Sequence, residues 1–272
     1  MPERTNRSTA VMARRHPTAE ALPLADLMIA GGGGSPMNEL PLRPAGHTSV
    51  MAHREATTPD DLDYFPTPPW AARAGGELIK QLDPGARTCW EPAAGGGHMA
   101  WGLEHYFTDV WTSDVHAYGD HLGEVADFLG EGPAIDADWI VTNPPFKLGE
   151  AFVRQALRRA RRGVAMLLRL VFIEGGRRYR LFSERPPCIV APFAERVPMV
   201  KGRWDPEASS ATAYAWFIWR VPGGCPRPAW ETHGLTRLQI IPPGSRQRLS
   251  RPEDLVRFGR AVEPSALLES GR

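Results

Sequence analysis

Hydrophobic positions along this chain change rhythm several times. From about residue 66, helical and strand spacings alternate. Pro68 and Pro69 open a segment in which Leu78, Ile79 and Leu82 supply an apolar stripe, which predicts a helix over Pro69–Leu82. Short apolar runs bounded by turn residues predict strands over Thr88–Glu91, Asp109–Ser113, Asp138–Thr142 and Gly163–Phe172. Helices are expected between them, from about His98 to His105 and over Gly149–Arg161. Two more strands, Cys188–Phe193 and Thr212–Val221, have no clear helical pattern between them, so an antiparallel hairpin is expected at one edge. Alternating strands and helices predict a mostly parallel α/β sheet, with ligands at the carboxyl ends of its strands.

The flanks read differently. Residues 1–60 hold scattered prolines, Arg14-Arg15 and four consecutive glycines from Gly31, so they bury too little apolar surface to offset their ordering entropy. Disorder is expected there, with a short helix over Ala21–Ala30. The organisation expected is a disordered segment at 1–60, a folded domain at 61–221 and a proline- and arginine-rich extension at 222–272. In the extension only a strand over Thr236–Ile241 and a helix over Pro252–Gly259 are expected.

Composition narrows the classes. Cys89, Cys188 and Cys225 have neither metal-ligand spacing nor the density of a disulfide scaffold, so a reducing, cytoplasmic setting without a structural metal is expected. The longest apolar run, from Val164 to Ile173, is broken by Arg169 and is too short for a bilayer, so no membrane partner is expected. Net charge is only +1, but it is unevenly spread. Acidic residues dominate from Asp61 to Gly149, and arginines dominate from Glu150 to Arg203. A polyanion could be oriented by that asymmetry. The plain alternative, for Arg154 to Arg162, is a solvated helix face.

Four motifs carry candidate chemistry. Glu91-Pro92-Ala93-Ala94-Gly95-Gly96-Gly97 follows a strand and opens a helix, as glycine turns that admit a ligand close to the backbone do. A carboxylate at Glu91 would repel a pyrophosphate but tolerate an ammonium. Asp114 ends the next strand, where a carboxylate can accept from ribose hydroxyls or simply cap a turn. Asp127-Phe128 can hold an adenine amine and cover its ring, or mark a helix end. Asp138-Trp139-Ile140-Val141-Thr142-Asn143-Pro144-Pro145-Phe146 is the most specific. Two prolines after a buried strand remove backbone donors, so carbonyls and the Asn143 amide make an acceptor-rich corner beside an aromatic face. A planar exocyclic amine fits such a corner.

The order of Tyr64-Phe65-Pro66-Thr67-Pro68, the glycine loop and Asn-Pro-Pro-Phe resembles class I S-adenosylmethionine-dependent amino-methyltransferases. It looks most like small phage- and prophage-type adenine-specific DNA methyltransferases, over roughly Asp61 to Val221. That resemblance implies a Rossmann-like fold with a seven-stranded, mostly parallel sheet and an antiparallel edge hairpin. It implies S-adenosylmethionine as cofactor, DNA as partner and the N6 amine of adenine as acceptor. Tyr64, Thr67 and Pro68 would border the methionine end of the cofactor, with Glu91, Pro92, Gly95 and Gly97 beneath it. Asp114 would hold the ribose, and Asp127 and Phe128 the adenine. Asn143 and the Pro144 carbonyl would hold the target amine within the Pro144-Pro145 turn, with Phe146 stacked on the base. No separate target-recognition domain is evident. The same motif serves N4-cytosine, RNA-base or protein-glutamine methylation, and an inactive cofactor-binding protein that holds nucleic acid is the alternative outside enzymes.

Overall fold

Strand pairing begins where buried β-formers meet side chains that pin their ends. In the computed structural model, which describes residues 63–118, 123–225, 227, 228, 230 and 234–259, the first strand is β1, Thr88–Glu91. Asp138 Oδ2 accepts the Arg87 and Thr88 N–H groups at 2.7 and 3.1 Å, and Thr88 Oγ1 accepts the Asp138 N–H at 2.8 Å. These reciprocal bonds set β1 beside β4, Trp139–Thr142, in parallel register Cys89↔Trp139. On its other side β1 pairs with β2, Asp109–Asp114, which pairs with the two-residue β3, Glu124–Val125. Beyond β4 lie β5, Gly163–Arg169, then β7, Tyr214–Arg220, β6, Ile189–Pro192, and β8, Arg237–Leu238. The order is β3-β2-β1-β4-β5-β7-β6-β8.

β7 runs antiparallel to both β5 and β6, and every other pairing is parallel. The Rossmann-like α/β arrangement with an antiparallel hairpin is therefore the observed fold. It has eight strands among the described residues rather than seven: β8, within the strand expected over Thr236–Ile241, pairs in parallel outside β6, and the two-residue β3 was not expected. Both sheet faces are covered, as a parallel sheet requires. One core holds Trp70, Ile79, Leu103, Trp139 and Trp216 under the first helix, α1, Pro69–Leu82; the other holds Trp90, Phe128, Phe152, Val164 and Phe217. The remaining helices are α2, His98–Leu103; α3, Gly149–Arg159; α4, Gly176–Glu184; α5, Ser245–Leu249; and α6, Pro252–Phe258. No helix among the described residues is long and apolar enough to cross a membrane.

One expectation changes. The strand expected over Gly163–Phe172 stops at Arg169; after one further in-register bond, from the Leu170 N–H to the Ala213 carbonyl at 2.8 Å, Leu170–Ile173 turns as a 3-10 helix closed by the Glu174 N–H on the Val171 carbonyl at 3.0 Å. Described residues of the C-terminal extension pack onto the domain: Arg73 of α1 makes a buried bidentate pair with Asp254 of α6 at 2.7 and 2.6 Å. The expected disorder over 1–60 and the helix over Ala21–Ala30 lie outside the described residues.

Candidate active site

β2, β1, β4 and β5 run parallel, so their carboxyl ends share one edge. Asp114, Glu91, Asn143 and Arg169 stand at or just past those ends. The chain passes from β1 outward to β2, then back across to β4, which makes the β1–β4 gap a topological switch point where such sheets bind ligands.

The glycine loop is built around backbone donors. Gly95 and Gly97 adopt φ of +54° and +78°, left-handed conformations that favour glycine. A Cβ on Gly95 would come within 2.3 Å of the Tyr64 ring. The Gly95 N–H donates to Asp114 Oδ2 at 2.8 Å, and the Gly96 N–H donates to the Tyr64 hydroxyl at 3.1 Å. The His116 N–H bonds Asp114 Oδ1 at 3.1 Å, so two backbone donors fix that carboxylate. Tyr64 stacks on Tyr118 with centroids 4.2 Å apart. Its hydroxyl pKa is raised by burial, with Asp114 and Glu91 adding to the rise and the Gly96 N–H opposing it. Thr67 and Pro68 are buried at the start of α1, and Pro92 is buried beneath the loop. Thus Tyr64, Gly95 and Asp114 meet directly.

Glu91 is 2% exposed, and its Oε2 has no hydrogen-bond partner. Burial pushes its carboxyl well above the usual range and the Asp114 charge adds to this, against an N–H bond from Ala100 in the first turn of α2. A buried carboxylate oxygen without a donor is costly and fits a cationic or donor group in the cleft.

The role expected of the Phe128 ring requires correction. Phe128 is 2% exposed and packs edge-on to Trp90 at 5.1 Å and against Phe152 at 5.0 Å. Its ring belongs to the core and offers no face for an adenine. Asp127 Oδ1 accepts the Leu129 N–H at 2.9 Å, which closes a local turn.

Asn143 follows β4 directly. Its Nδ2 donates to the Phe65 carbonyl at 3.0 Å, which fixes the amide, while its buried Oδ1 has no partner. The Pro145 carbonyl is taken by the Leu148 N–H at 2.9 Å. Phe146 is half-buried, tilted against Phe65 at 4.9 Å. The guanidinium of Arg169 lies 3.8 Å over its ring, and Tyr214, the cross-strand partner of Arg169, hydrogen-bonds that arginine.

The sequence assigned no site role to Arg169 or to the aromatic group beside the loop. His98 stacks on Phe258 at 3.9 Å, and Trp204 lies 6.3 Å from His98 and 6.2 Å from Phe258. His98 Nδ1 and Trp204 Nε1 are buried without partners. Burial and then Arg257 lower the His98 pKa to about 4, so the ring is neutral at physiological pH. The available signal for Arg169 was its charge in a strand otherwise buried; distance along the chain hid Trp204 and Phe258.

No protein-family model and no curated protein matches this chain. Among solved structures it is similar to the methyltransferase subunit of a type I restriction-modification system from Streptococcus thermophilus, at 14% identity and a TM-score of 0.46. That match covers 58% of this chain and 45% of the other, so the chain spans less than half of that protein's length. It is also similar to a protein of Pyrococcus horikoshii described as a candidate RNA methyltransferase, at 12% identity and a TM-score of 0.46, over 64% of this chain and 96% of that one. A third is the magnesium protoporphyrin IX methyltransferase of Synechocystis with bound S-adenosylmethionine, at 13% identity and a TM-score of 0.36, over 56% of this chain and 76% of that one. These likenesses concern the fold alone.

The arginine-rich span divides in two. Arg162 donates to the buried Asp83 at 2.8 and 2.5 Å, Arg161 pairs with Asp138 and Asp136, and Arg154 bridges Glu150 and Glu184. Arg159 lies 4.4 Å over Trp90. Arg162 and Arg161 thus anchor buried carboxylates and Arg159 covers Trp90, while Arg158 and much of Arg161 remain exposed to solvent. Arg177 and Arg180 of α4 are exposed and have no ion pair among the described residues, and Tyr179 between them is 73% exposed.

Proposed function

We propose that this chain is an S-adenosylmethionine-dependent N-methyltransferase acting on the N6 amine of adenine in DNA. The observation that carries the reading is the Asn143 amide: its Nδ2 bonds the carbonyl of Phe65, whose ring packs against Phe146, and its buried Oδ1 is left as an acceptor. A buried acceptor held without a donor matches an incoming amine.

The residues present fit the cofactor. The orphaned Glu91 Oε2 suits an ammonium, Gly97 has no neighbour within 4 Å of an added Cβ, and Asp114 stands where ribose hydroxyls would be accepted. Glu91, Gly97 and Asp114 would hold it, with Tyr64, Thr67 and Pro68 alongside. When bound, S-adenosylmethionine supplies an electrophilic methyl group carried on a sulfonium. The chain's own contribution is electrostatic and positional. An adenine amine is a weak nucleophile because its lone pair is delocalised into the ring. Asn143 Oδ1 and the Pro144 carbonyl would accept its two hydrogens, favouring a pyramidal nitrogen and supporting positive charge as the new bond forms. Fixing the amine in line adds the advantage of proximity. No strong base is needed, because the proton leaves after transfer. Phe146 would stack on the base, which must leave a duplex to reach this corner. A polyanionic partner is supported by Arg177, Tyr179 and Arg180, which pair exposed positive charge with an exposed ring.

The test is transfer of a labelled methyl group from the cofactor to DNA. Wild-type protein should label DNA. Asn143→Ala should not, while still binding the cofactor's demethylated product in calorimetry. Equal labelling by Asn143→Ala would remove this corner from the reaction.

A further inference from the structure

We propose that Arg169 reads the target base, its guanidinium donating to the ring nitrogen beside the amine that Asn143 accepts. This rests on the function proposed above. It would restrict the acceptor to bases that carry an amine hydrogen and a ring-nitrogen lone pair side by side.

Arg169 ends β5 inside an otherwise buried strand. Its Nε is buried without a partner, and no carboxylate among the described residues lies within salt-bridge distance of it. A guanidinium is donor-only, so a buried N–H left unpaired costs stability, and the natural complement is an acceptor. The group lies 3.8 Å over Phe146, the ring on which a base would stack. Asn143 flanks that ring through Phe65: its Nδ2 bonds the Phe65 carbonyl, and the Phe65 and Phe146 rings are 4.9 Å apart. Two orphaned atoms, the acceptor Asn143 Oδ1 and the donor Arg169 Nε, therefore stand at the carboxyl ends of the neighbouring strands β4 and β5, with the Arg169 guanidinium over Phe146.

An amidine edge satisfies both at once: an N–H donor next to a ring-nitrogen acceptor. Adenine offers it on both sides of its amine, at N1 and N7, and cytosine offers it at N3. Thymine and uracil have no amine. At 3.8 Å no ring fits between guanidinium and Phe146, so a base stacked there would displace Arg169 towards the base rim. Tyr214, on the neighbouring strand and bonded to Arg169, limits how far the arginine can retreat.

The test crosses one protein change with one change in substrate. Wild type and Arg169→Met are compared on oligonucleotides carrying adenine, 1-deazaadenine or 7-deazaadenine, with 3-deazacytosine added if cytosine is methylated. In wild type, one of the two deaza substrates should lose at least ~10-fold in kcat/KM, the size of one hydrogen bond of about 1.4 kcal/mol. Arg169→Met should lose a similar factor on adenine and lose nothing further on that deaza substrate. Arg169→Lys, which keeps a donor, should recover part of the difference and guards against a folding defect in the methionine variant. Multiplicative, independent losses on both deaza substrates would show that Arg169 only packs against Phe146, and would overturn the proposal. The same cycle is run as binding to protein loaded with S-adenosylhomocysteine. If wild type methylates no oligonucleotide, the proposed function fails; coupling in binding would still support base reading, and its absence would overturn that as well.

Discussion

Truncating Asp254 to alanine tests how the C-terminal segment holds the cofactor loop. The side chains of Arg73 and Asp254 are 1% and 4% exposed. Asp254 accepts four hydrogen bonds: two from Arg73 at 2.7 and 2.6 Å, one from Trp101 Nε1 at 3.0 Å and one from the Arg251 N–H at 3.0 Å. Alanine leaves the Arg73 charge buried with only the Leu249 carbonyl at 2.8 Å and His105 Nδ1 at 3.5 Å. Breaking one member of a buried pair costs about 3–5 kcal/mol. For a unit of this size that lowers the melting temperature by about 6–20 °C. The gap should depend on pH. Burial alone would raise the Asp254 pKa, but the hydrogen bonds from Arg73, Arg251 and Trp101 outweigh it and hold the group below 3.8. A depressed carboxylate stabilises the fold above its unfolded value and loses that stabilisation as pH falls through its folded value, so the gap should close only in strong acid. Because α6 carries Phe258 onto His98, cofactor affinity should fall as well. Thermal melts across pH and calorimetry with S-adenosylhomocysteine read both effects. Replacing the pair together by Arg73→Met and Asp254→Leu should recover most of the stability. An Asp254→Ala protein melting within about 2 °C of wild type would refute the buried-pair argument.

The other predictions concern the cleft. Glu91 has its folded pKa raised above the usual 4.5, chiefly by burial, so the native state keeps a proton the unfolded chain has lost. Cofactor-free stability should therefore decline as pH rises above about 4.5, and Glu91→Gln should abolish that decline in urea melts at pH 5 and 8; parallel curves would show Glu91 to be satisfied. Phe146→Trp should retain methyl transfer, whereas Phe146→Ala should lose about 1–3 kcal/mol of base stacking, measured as a rate difference between duplex and single-stranded substrate. Changing Arg177 and Arg180 to Ala should weaken DNA binding for all sequences and flatten its salt dependence; an unchanged slope would place DNA elsewhere.

Much of this framework was legible because local chemistry determined it. α1 and β1 fall where the paired prolines and the buried run put them, and Asn143 is set by two prolines that allow little else. α4 was missed because it buries only Leu181, leaving no stripe to read in Gly176–Glu184. β3 is two exposed residues, which no hydrophobic pattern marks. The Phe128 ring misled because a ring that covers a ligand and a ring that fills the core look alike in sequence. Arg169 and Phe258 reach the site through strand register and the Arg73–Asp254 pair, across separations that a linear pattern does not encode.

The central claim, methylation of the adenine amine, is tested most directly by the product. Wild type and Asn143→Ala are incubated with S-adenosylmethionine and unmethylated DNA, and the DNA is digested to nucleosides for mass analysis. N6-methyladenine from wild type, and none from Asn143→Ala, is the predicted result. N4-methylcytosine alone would keep the chemistry but change the base. No methylated nucleoside from a folded, cofactor-binding protein would contradict the account.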